Sequence, residues 1–77
     1  MKISYDPKYN IAYIKFRNKS DSVQTHAISG EVNVDVAPDG KIYGIELLNA
    51  NKQFQAGSGN KFTVTNESTK KSVQIPL

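Results

Sequence analysis

The chain contains no cysteine and only one histidine among its 77 residues. The first absence excludes disulfide staples and a Cys/His zinc cluster. The second leaves His26 without a second imidazole, and its nearest carboxylates in sequence, Asp21 and Glu31, lack ligand spacing. His26 therefore reads as a surface residue rather than a metal ligand or catalytic base. No apolar run reaches the length of a signal-peptide core or a membrane span. With no thiols either, the expected location is the cytoplasm. No glycine-rich phosphate loop and no Ser/His/Asp set of suitable spacing occurs, so the expected cofactor complement is none and the expected class is non-enzymatic.

These absences bear on stability. Seventy-seven residues suffice for one domain, and a domain this small buries only about 60–65% of the surface of its unfolded chain. With disulfides and zinc excluded, the remaining remedy is association, either as a homodimer or with another small protein.

Charge is divided unevenly along the chain. Six basic and six acidic residues balance within positions 1–50, whereas Lys52, Lys61, Lys70 and Lys71 face only Glu67 beyond them. The whole net charge of +3 thus lies in the tail. One reading makes Lys61, Lys70 and Lys71 nucleic-acid contacts. The plainer one is that scattered lysines keep a small domain soluble.

The hydrophobic period is that of strands. Lys2–Tyr5 alternates, and Asp6-Pro7 ends it because proline lacks an amide hydrogen. Ile11–Arg17 places Ala12, Ile14 and Phe16 on one face and Ile11, Tyr13, Lys15 and Arg17 on the other. A weak strand at Val23–Ser29 is interrupted by Gly30, and Glu31–Val36 then alternates three valines with three polar residues. Pro38-Asp39-Gly40 is a strong hairpin signal, returning the chain through Lys41–Leu48. Gly44 in that strand suggests a bulge or a close approach. Asn49 is placed to cap a short helix or turn over 49–54. A Gly57-Ser58-Gly59-Asn60 break precedes two short strands that read as a terminal hairpin. The expected fold is mainly β: an antiparallel meander of four or five strands over 1–54, then a basic hairpin over 55–77 within the same domain.

The segments Tyr5-Asp6-Pro7, Ala12-Tyr13-Ile14, Val32-Asn33-Val34-Asp35, Asp39-Gly40 and Gly44-Ile45-Glu46-Leu47-Leu48-Asn49-Ala50 occur in that order. This pattern resembles the DUF2283 family of small prokaryotic domains over about residues 1–52. The resemblance implies the β architecture but no activity. It extends to relatives resembling proteins encoded beside toxin-like partners, which implies an antitoxin-type or regulatory role. The tail from Gln53 lies outside the pattern.

Two further sets of residues carry possible chemistry. Asp35 and Glu46 both point away from the main apolar face, and paired carboxylates are the requirement for general acid–base hydrolysis. The simpler expectation for Glu46 is a cross-strand ion pair with Lys15, Arg17 or Lys41, and for Asp6 and Asp39 a role in turns. Tyr9, Tyr13, Lys15 and Arg17 form the candidate interface, since tyrosine is stiff, large and amphipathic. The leading expectation is a protein-interaction or self-association module. Nucleic-acid binding is the alternative, and a carboxylate hydrolase a distant third.

Overall fold

A computed structural model describes residues 1–18, 22–54 and 61–76. Its elements in chain order are β1 (Lys2–Asp6), β2 (Ile11–Lys15), β3 (Gln24–Ser29), β4 (Val32–Val36), β5 (Ile42–Leu48), α1 (Ala50–Gln53), β6 (Lys61–Asn66) and β7 (Lys71–Pro76). The first five strands form one antiparallel sheet in the order β1-β2-β5-β4-β3, and β6 and β7 form a separate two-stranded sheet. The mainly β expectation of four or five strands, a short helix or turn and a terminal hairpin is borne out, with five strands and a short helix. The strand order adds what periodicity does not contain: β5, not β3, lies beside β2.

Local chemistry explains the turns. Asp6 accepts the Lys8 amide at 2.9 Å, and Asn10 completes the β1–β2 connection at φ 57°. Asparagine tolerates that left-handed backbone better than most residues. In the β4–β5 turn the Gly40 amide donates to the Ala37 carbonyl at 2.9 Å, and Gly40 takes φ 85°. Asp39 accepts the Lys41 amide there at 3.0 Å. Asn66 organises the last turn by accepting the amides of Ser68 and Thr69 at 2.9 and 3.2 Å. The Gly57–Asn60 break, and Lys19–Asp21 in the polar loop, lie outside the described residues.

The helix start differs from expectation. Asn49 occupies the cap position, but in the left-handed region at φ 52° and with no side-chain capping bond. Its side chain instead accepts from Asn10 Nδ2 at 3.2 Å. Asn10 Nδ2 also donates to Asn51 Oδ1 at 2.6 Å, while the Asn51 amide donates to Asn10 Oδ1 at 2.8 Å. A further backbone bond runs from the Ala50 amide to the Asn10 carbonyl at 3.0 Å. Three asparagines thereby clasp the β1–β2 turn to α1.

Packing is thin. Among the described residues the buried apolar side chains are Ala12, Ala37 and Ala50, and no large side chain is fully buried. The chain exposes 5795 Å², about 1,100 Å² more than the roughly 4,700 Å² expected of a compact monomer of this mass. Its radius of gyration is 14.0 Å, against about 11.5 Å for a compact chain of this length. A five-stranded sheet and a hairpin that is not hydrogen-bonded to it account for both excesses, since among the described residues no large side chain is fully buried.

Candidate functional site

Strand register sorts the side chains of the sheet into rows, because directly paired residues in an antiparallel ladder share a face. On one face, Ile3, Ile14, Ile45, Val34 and His26 form a continuous row across all five strands. Tyr5, Ala12, Leu47, Val32 and Ser29 form a second. Neither row contains a lysine, arginine, aspartate or glutamate. The large apolar members are half-buried by their neighbours, with Tyr5 41% exposed at the edge. This face has the composition of a core without a covering layer.

The opposite face is polar. Its rows read Ser4, Tyr13, Glu46, Asn33, Ala27 and Lys2, Lys15, Gly44, Asp35, Thr25. Asp35 accepts the Tyr13 hydroxyl at 2.6 Å through one oxygen and the Thr25 hydroxyl at 2.6 Å through the other. Burial, followed by that bond to the Asp35 carboxylate, pushes the Tyr13 phenol far above its ordinary range. Asp35, Tyr43 and Glu46 add electrostatic pressure in the same direction. Tyr13 can reach Asp35 because Gly44 has no side chain. A Cβ built at Gly44 would strike the Tyr13 hydroxyl oxygen, with ring atoms Cζ and Cε1 at 2.5 and 2.7 Å. Gly44 is thus the floor on which the Tyr13 ring lies, the close approach expected of a strand glycine. A register shift also falls here, between Asp35 and Val36, where two successive β4 residues pair with Gly44 and Ile42.

The expected site residues disperse. Tyr13 and Lys15 share the polar face, but Tyr9 lies in the β1–β2 turn, 65% exposed, with the Lys8 ammonium 5.3 Å from its ring centre. Arg17 is engaged elsewhere: its guanidinium meets Asp39 at 2.6 Å, tying the segment after β2 to the β4–β5 turn. That hydrogen bond, helped by the Lys41 amide, holds the Asp39 carboxyl below the usual carboxylate range. Asp35 and Glu46 do share a face and both flank Tyr13. Glu46 accepts from Asn33 Nδ2 at 2.9 Å rather than pairing with Lys15, Arg17 or Lys41. In the hairpin, Lys61 pairs with Pro76 at the open end, whereas Lys70 and Lys71 sit at the turn. Lys70 meets Glu67 at 3.5 Å and Lys61 meets Gln74 at 3.4 Å, so the three lysines make no single patch.

Sequence reasoning missed the Tyr13–Asp35–Thr25 network and the asparagine clasp. Alternation placed Tyr13 and Asp35 outward, but only register joins them. Among the described residues, no group of three or more His, Asp or Glu side chains is arranged to hold a metal ion. No helix there is long and apolar enough to cross a membrane.

A family model described as a protein of unknown function, DUF2283, matches residues 2–51. No curated protein and no solved structure matches the chain. The matched span ends at the second residue of α1, so it contains the whole five-stranded sheet and excludes the terminal hairpin.

Proposed function

Because the chain belongs to DUF2283, whose description carries no activity, we propose a function from the sheet itself: a self-association module, binding rather than catalytic. A second copy covers its apolar face. The observation that carries this reading is the row Ile3, Ile14, Ile45, Val34 and His26, which crosses the whole sheet without a lysine, arginine or acid and, among the described residues, stays only half-buried where it is apolar. Contiguous apolar faces of this kind mark interaction surfaces. Two sheets packed face to face at about 10 Å form a closed core. The occupant is a copy of the chain because the excess exposure, about 1,100 Å², is comparable to the roughly 800 Å² per partner that a standard interface removes. A face without charge also offers nothing to select a charged partner.

The test is sedimentation of the wild type and of an Ile14→Lys/Val34→Lys variant. The wild type is expected to be a dimer at micromolar concentration. The variant is expected to be a monomer that keeps its β circular dichroism, since lysine on an uncovered face can stay in water. A control, Ser4→Lys on the polar face, should remain dimeric. A monomeric wild type at high micromolar concentration would refute the proposal.

A further inference from the structure

We infer that the β6–β7 hairpin of one copy adds to the free β3 edge of the other, an exchange that rests on the self-association reading above. Four strand edges are free among the described elements: β1 and β3 in the main sheet, and the outer sides of β6 and β7. Proteins normally guard such edges with charge or proline. β1 carries Lys2 and Asp6 at its ends, and β7 begins with Lys71 and ends with Pro76. β3 carries neither: Gln24–Ser29 has no lysine, arginine, acid or proline, all six residues are exposed, Ile28 to 67%, and the register shift between Ala27 and Ser29 leaves Gln24–Ala27 as its regular stretch. β6 has only Lys61, at its first position, followed by Phe62-Thr63-Val64-Thr65. β3 and β6 are therefore the two edges built to accept a strand, and each is six residues long.

The hairpin also needs this contact. A two-stranded ribbon is marginal alone in water, and β6–β7 hydrogen-bonds to no strand of its own chain's main sheet. Val64 and Val73 are directly paired and 47% and 63% exposed, and Ile75, two residues beyond Val73 on the same face, is 47% exposed. Laid beside β3, the ribbon lengthens the sheet from five strands to seven, and this apolar side can continue the valine rows of β4. Adding β3 to β3 would leave β6 open. Reciprocal exchange occupies β3 and β6 in both copies and closes with two-fold symmetry, so no filament grows.

The experiment uses the full chain and three variants: Gln24→Lys/Ala27→Lys, which guards the β3 edge; Val64→Pro, which breaks β6; and the Ile14→Lys/Val34→Lys face variant. Sedimentation gives the dimer constant, and amide hydrogen exchange reads β3 directly. In the wild-type dimer, the alternate β3 amides that point away from β4 should be protected in addition to those bonded to β4. Both edge variants should lower that protection at least about tenfold and weaken the dimer, while amides of β2, β4 and β5 stay slow and certify the sheet. If both edge variants dimerise normally with unchanged β3 exchange, and the face variant is monomeric, exchange is refuted while self-association stands. A wild-type monomer with those outward β3 amides protected would place the hairpin on its own chain and overturn the exchange. A wild-type monomer with them unprotected would overturn both readings.

Discussion

Gly44→Ala is the sharpest perturbation of the polar face. The added methyl would strike the Tyr13 hydroxyl oxygen and come within 2.5–2.7 Å of two ring atoms, so the ring must leave and its bond to Asp35 must break. A hydrogen bond to a charged group contributes about 1.5–3 kcal/mol. Overpacking alone costs about 1–3 kcal/mol, and the two overlap because moving the ring relieves one by causing the other. Against this stands a gain of about 0.4–1 kcal/mol from the stiffer unfolded chain. The expected net loss is about 2 kcal/mol, read by urea denaturation at one chain concentration. The decisive comparison is the same substitution in a Tyr13→Ala background. With the ring gone the methyl enters open space, so Gly44→Ala should then be neutral or slightly stabilising. The cycle should yield a coupling of about 2 kcal/mol between the two positions. Additive effects would show that Gly44 is required for some reason other than the ring above it, and would refute the argument.

Two further predictions concern the same face and the clasp. The folded-state value of Tyr13 is raised above the unfolded value near 10, so its contribution to stability is fully present below about pH 10 and is lost as pH rises through the folded value. Tyr13→Phe should flatten that alkaline loss, and absorbance at tyrosinate wavelengths should show one of the four tyrosines ionising last; four tyrosines titrating as a single class would contradict it. Asn10→Ala should cost about 2 kcal/mol, roughly half from the left-handed backbone and half from lost side-chain bonds to the α1 segment. Asn10→Gly should recover the backbone half, so equal thermal unfolding of the two variants would remove that division.

The strands and turns of this protein were legible because their causes are local. Alternation in Val32–Val36 follows from the two-residue repeat of a strand, Asp6 and Asp39 bond amides two residues away, and Gly40 supplies the positive φ its turn requires. The outward placement of Tyr13, Asp35 and Glu46 was legible for the same reason. Their association was not, because register is chosen by the fit of whole faces between strands far apart in sequence. The Tyr13–Asp35 bond spans 22 residues and the Asn10–Asn51 bonds 41. Asn49 shows the limit at a single position: its type suited a helix cap, but a nonlocal partner, Asn10, took its side chain. The sequence by itself determined that this is a small, cysteine-free β domain whose strands alternate apolar and polar sides. Only the tertiary structure decided that β5 lies beside β2, that Gly44 lies beneath Tyr13, and that no large side chain among the described residues is fully buried. Alternation says which side of a strand is apolar, whereas pairing and packing decide what meets that side.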